Sequence, residues 1–124
     1  LWNHKPVSSE FSNIIKEIKP DLTDVLGVGG IIPWLAQTNS SHSARSISGK
    51  WAGDRWALWN FQDGSAAILL ETLWQDEKSA LEFYDAIPNH SFQWFFPHEE
   101  GSTVIRILRG STLAALNRIN KLVK

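Results

Sequence analysis

Apolar and aromatic residues crowd two neighbouring stretches, 56–61 and 66–74, and the four residues between them, Gln62-Asp63-Gly64-Ser65, are polar or small. This pattern predicts a β-hairpin within residues 50–74, a stretch that holds four of the seven tryptophans. Asp63-Gly64 suits a two-residue type I′ turn, whose central positions both need positive φ. Such a turn would set Trp59 opposite Ile68, Ala57 opposite Leu70 and Trp56 opposite Glu71. Strand side chains alternate between faces, so Phe61, Trp59, Ala57, Ile68 and Leu70 would share a nearly apolar face, expected to be core. Asn60, Leu58, Trp56, Ala67, Leu69 and Glu71 would share a mixed face, expected to be partly covered or to bind something.

Helical spacing dominates elsewhere. Residues 10–19 place Phe11, Ile14, Ile15 and Ile18 on one stripe, with Ser8 or Ser9 as cap, behind an arm at residues 1–7. Pro20 ends that helix or opens a second, with Asp21 and Asp24 in its first turn. Residues 25–44 contain no Asp, Glu, Lys or Arg. Two readings stand for them: a short buried helix or turn over the sheet, or an exposed apolar lip carrying Ile31, Ile32 and Trp34. The polar, Ser-rich residues 37–48 read as a loop. Asp76 caps a helix over 77–87 with Ala80, Leu81, Tyr84 and Ile87 inward. Residues 91–96 and 103–109 alternate as strands, and Ser111 caps a last helix with Leu113, Leu116, Ile119 and Val123 as its stripe.

The expected fold is therefore α+β, with a mostly antiparallel four-stranded sheet in the order β-β-α-β-β-α and helices packed on it. Its 124 residues suit one domain, with a helical segment at 1–37, a polar loop at 38–49, and the sheet with two helices at 50–124.

Composition narrows the function classes. The net charge of −1 offers no global field for nucleic acid or an anionic membrane. With no Cys there is no disulfide or thiolate chemistry. The apolar part of residues 25–44 is too short, and too broken by Gly27, Gly29, Gly30 and Pro33, to span a bilayer. The chain has no Met and starts at Leu1, as expected of a processed mature protein or an excised domain.

No motif carries a complete reaction. Asp54 and Glu71 would be diagonal neighbours beside Trp56, and paired carboxylates suggest glycoside chemistry. The competing reading makes Asp54 a turn cap and pairs Glu71 with Arg106, and it leaves no catalytic residue to name. His4, His42, His90 and His98 lack ligand spacing, so neither a metal nor any other cofactor is expected. Gly27-Val28-Gly29-Gly30 is neither a dinucleotide fingerprint, since Ile32 stands where the third Gly belongs, nor a P-loop. Trp59 and Trp74 fit core packing, whereas Trp34, Trp56 and Trp94 stay open between core and surface. Asn39-Ser40-Ser41 and Asn89-His90-Ser91 match the glycosylation sequon, a frequent chance match.

Two further stretches stand out: Trp51-Ala52-Gly53-Asp54-Arg55-Trp56, and residues 74–84, which begin Trp74-Gln75-Asp76. Together, within residues 50–87, they resemble a module of exported bacterial and archaeal proteins of poorly defined function. Its C-terminal domains carry a W-G-G-D-R-[YW] strand start, a hairpin, then a W-D-[ST] helix start. Ala52 replaces the second-position Gly and Gln75 the Asp. Some such proteins have an upstream zincin-like domain, but His98-Glu99-Glu100-Gly101 lacks the second His of H-E-x-x-H, so peptidase activity does not carry over. The resemblance implies an extracytoplasmic location, whether secreted, periplasmic or lumenal. The expectation is a non-catalytic accessory domain that binds another protein or an adjacent domain, not nucleic acid, with peripheral membrane association left open. In a photosynthetic source this would fit a lumenal photosystem-associated subunit. The alternative is a small enzyme or ligand-binding domain with a cleft on the mixed hairpin face. Candidate binding residues are Ile31, Ile32, Trp34, Trp56, Asp54 and Glu71.

Overall fold

The computed structural model describes residues 9–88 and 90–121. Along the chain come α1 (Ser9–Glu17), β1 (Leu22–Asp24), α2 (Gly27–Leu35), α3 (Ser41–Ser48), β2 (Trp51–Asn60) and β3 (Ala66–Trp74). Then follow α4 (Glu77–Ala86), β4 (Gln93–Phe95), β5 (Val104–Gly110) and α5 (Leu113–Asn120). From β2 onward this is the expected β-β-α-β-β-α order. The fold is α+β, with five strands rather than four, ordered β1-β2-β3-β5-β4 and antiparallel at every pairing.

The central hairpin loop is one residue longer than Asp63-Gly64 suggested, because it begins at Gln62. The Gly64 N–H donates to the Phe61 carbonyl at 3.0 Å and the Phe61 N–H to the Ser65 carbonyl at 2.8 Å. Gln62, Asp63 and Gly64 thus form a three-residue loop. Of these three, only Gly64 takes positive φ, at 87°. This is the three-residue loop in which a left-handed glycine follows an ordinary turn. Asp63 accepts from the Ser65 N–H at 2.9 Å and from the Ser65 hydroxyl, which holds its carboxyl below the usual range.

One extra loop residue shifts the register by one and exchanges faces. Trp59 lies opposite Ala67, Ala57 opposite Leu69, Trp56 opposite Leu70 and Arg55 opposite Glu71. Trp59, Ala57, Ala67 and Leu69 join Phe11 and Ile14 of α1, Leu108, and Leu116 and Ile119 of α5 in one core. On the other side Leu70, Trp74, Ile105 and Ile107 pack with Ile31 and Leu35 of α2, Ala44 of α3, and Ala80 and Phe83 of α4. Both faces of the sheet are covered, so the split into one core face and one mixed face does not hold. Trp59 and Trp74 are core, at 1% and 2% exposure.

Other local expectations change. Residues 22–24 form an edge strand rather than a helical turn. Residues 41–48, expected as loop, are helical: Ser40 accepts from the Ser43 N–H at 3.1 Å and caps α3, which buries Ala44 and Ser48. In α4 Asp76 is the cap as expected, but Phe83 is inward and Leu81 exposed. Thr112, not Ser111, caps α5, and Leu113 is exposed. The Ser111 hydroxyl instead accepts from the Ala66 N–H at 2.8 Å. The expected arm at 1–7, the Ser8 cap, Val123 and the Asn89 sequon lie outside the described residues.

Candidate functional site

Helix α2 is a weak helix on its own terms. It holds three glycines and Pro33, and Leu26 at its N-cap position gives no side-chain hydrogen bond. Its start is held from the sheet instead. Asp54 of β2, fully buried, accepts from the Leu26 N–H at 2.6 Å and the Gly27 N–H at 2.9 Å. The Trp51 indole N–H donates to the same carboxylate at 3.1 Å. Asp54 is thus the cap that α2 lacks, a carboxylate at the positive end of a helix. It also occupies the backbone donors that a phosphate would use, which removes anion binding at this glycine-rich start. Beyond its other end, the Asn39 amide donates to the Leu35 and Ala86 carbonyls, both at 2.8 Å, tying the α2 end to α4. A glycan on that amide would break this tie.

Held in this way, α2 roofs a pocket of about 280 Å³ over the sheet. Leu26, Gly30 and Trp34 line it from above, and Trp56, Ile68, Leu70 and Ile107 from the sheet. Gly30 leaves room for Leu26, because a Cβ there would fall 2.7 Å from the Leu26 Cγ. Arg109 of β5 is the one charged lining residue among those described. Its Nη2 donates to the Pro88 carbonyl at 3.1 Å and its Nε to the Gln93 side-chain oxygen. Its guanidinium carbon stands 5.0 Å from the centre of the Trp34 ring, a cation–π contact. Burial lowers the guanidinium from its ordinary value, though it remains charged. A second hollow, along Leu58, Ile68, His90 and Ser111, adjoins at Ile68 and Arg109.

The sequence candidates divide. Trp34 and Trp56 are brought together in the pocket. Ile31 is fully buried core, and Ile32 is partly buried against it, so residues 25–44 offer no exposed lip at these positions. Asp54 lies opposite Thr72 and so on the sheet face away from Glu71, because the one-residue register shift separates them. The carboxylate pair that would have suggested glycoside chemistry does not exist. Glu71, also fully buried, stands between two arginines, Arg106 Nε at 2.6 Å and Arg55 Nε at 3.2 Å. Arg106 is the expected partner, directly opposite on β5. Arg55 was missed because the shifted register alone places it there, with its guanidinium 4.0 Å from the Phe11 ring centre. Burial raises the Glu71 carboxyl above its usual value, while the two guanidiniums pull against it.

Arg109 too was missed. Its one signal is positional: it closes the row Ile105, Ile107, Arg109 on a single strand face. Among the described residues, no three His, Cys, Asp or Glu side chains gather to hold a metal ion, and no helix is long and apolar enough to cross a membrane. No family model, curated protein or solved structure matches the chain.

Proposed function

We propose that this chain is a non-catalytic binding domain and that its site is the pocket between α2 and the sheet. The observation that carries this is the lining: seven apolar or glycine residues, two of them tryptophans, and one arginine. Small-molecule sites combine apolar walls with a few placed polar groups, and this pocket is near the small end of their range. Among the described residues its lining holds no carboxylate, imidazole, hydroxyl or thiol that could act as acid, base or nucleophile. The two buried carboxylates are committed elsewhere, Asp54 to α2 and Glu71, across the sheet, to its arginines.

Titration with a neutral aromatic probe such as indole, followed by NMR, tests the reading. Saturable shifts at the Trp34 and Trp56 indoles are expected, and Ile68→Phe, which fills the pocket, should abolish them. Undiminished binding by Ile68→Phe would remove the pocket as the site.

A role toward another protein has separate support. Strand β1 is a sheet edge, and Leu22 and Val25 beside it are 52% and 45% exposed. Exposed edges and apolar side chains favour association. The resemblance of residues 50–87 to exported proteins agrees with an accessory domain acting outside the cytoplasm. Leu22→Lys with Val25→Lys should then weaken association without disturbing the indole shifts, and unchanged association would count against this surface.

A further inference from the structure

Three arginines on the central strands sit in or beside apolar surroundings. Arg55 and Arg106 both hold Glu71. Arg109 has no carboxylate partner among the described residues. Its Nε and Nη2 are used by neutral oxygens, from Gln93 and Pro88, and its Nη1 has no acceptor among the described residues. A partly buried cation beside apolar walls calls for an anion.

The tryptophans add a second contrast. Trp51, Trp59 and Trp74 donate their indole N–H groups to Asp54, to the Ile18 carbonyl and to Thr72. Trp34 and Trp56 make no such bond to any described residue. Both rings are half-buried in the pocket lining, so they offer aromatic surface to a ligand. Shape limits the ligand further. An apolar cavity of about 150 Å³ takes a benzene ring, so 280 Å³ has room for a fused bicycle. One guanidinium with a free edge suits a carboxylate, whereas a phosphate dianion would want a second cation or a helix start, and the α2 start is occupied by Asp54.

Resting on the pocket reading above, we infer that the natural ligand is a planar aromatic monocarboxylate, its rings against Trp34 and Trp56 and its carboxylate on Arg109. The same chemistry could come from a free small acid or from an aryl acid on a larger molecule, and both would place the same head group on Arg109.

The test compares 2-naphthoate with its neutral counterpart 2-naphthamide, by calorimetry and by NMR of the two indoles, on the unmodified chain. Naphthoate should bind about tenfold or more tightly, the increment of one charge-assisted contact. The difference should shrink as salt is raised. Arg109→Gln should erase the preference and leave naphthamide binding in place. Because that variant also loses the bonds to Pro88 and Gln93, the comparison on the unmodified chain decides. Equal affinities with both indoles shifted would overturn the carboxylate and keep the pocket. Failure of both compounds to shift Trp34 and Trp56 would overturn the pocket reading itself.

Discussion

At Gly64 a single φ decides which side chains meet which helices. Asp-Gly is the signature of a two-residue turn and also of the longer loop that ends in a left-handed glycine, and the two differ by one position in register. Nothing in residues 62–65 tells them apart, because the choice depends on which faces the helices then cover. With φ at 87°, Gly64→Val should cost about 1–2 kcal/mol or more, read by chemical denaturation. A cost near zero would mean the loop can rearrange to the shorter form. Arg109 shows the same limit of local reading. A strand-end arginine is normally a surface residue, and only the return of α2 over the sheet makes it part of a pocket.

Among elements, helices α1, α4 and α5 and the strands of the two hairpins were legible because burial on a packed face imposes a period on the sequence, although single members of the α4 and α5 stripes, Leu81 and Leu113, proved exposed. Strand β1 left no such trace: its three residues are all exposed and it is held by the edge of β2. Helix α3 was hidden by its serines, which favour turns in general but here include a cap at Ser40. The β2-β3-β5 row sets one acid between two bases, Arg55-Glu71-Arg106. Arg106→Gln should cost about 3 kcal/mol, since it leaves the buried Glu71 with the longer contact to Arg55 in place of the shorter one to Arg106. A double-mutant cycle with Glu71→Gln should show coupling between the two positions, and strict additivity would refute the pair.

The same carboxyl gives a pH signature. Its folded value is raised by burial, so the folded chain binds that proton more tightly than the unfolded chain does. The ionised form therefore subtracts stability above the folded value, and that penalty lifts as pH falls through it toward the unfolded one. Relative to Glu71→Gln, the unmodified chain should gain stability in urea unfolding as pH falls through the raised folded value toward the ordinary carboxylate range of about 4. A relative loss over that window would mean the arginines outweigh burial.

For the whole molecule, the important link is Asp54, which spans 27 and 28 residues of sequence to reach the start of α2. Its place in the Trp51-Ala52-Gly53-Asp54-Arg55-Trp56 stretch was legible as a motif, and its capping role was expected, but for a local turn rather than a distant helix. Asp54→Ala leaves two backbone N–H groups and the Trp51 indole without their acceptor and should cost about 3 kcal/mol in denaturation. It should weaken indole or naphthoate binding more than Arg106→Gln does, because it loosens the pocket roof whereas Glu71 and its arginines lie across the sheet. Equal losses of affinity from both variants would separate the pocket from α2.

Borrowing a cap from β2 also makes α2 the natural opening unit of the molecule. A helix with three glycines, a proline and no cap of its own keeps its shape only while docked, so it should detach before the sheet unfolds. Amide hydrogen exchange would then show the α2 amides exchanging through a partial opening, well below the protection of β3 and β5. A ligand in the pocket would close that gap by joining α2 to Ile68, Leu70 and Ile107. Entry and release would be timed by the undocking of one helix, and residence time would follow the strength of the Asp54 contact as much as the fit of the ligand.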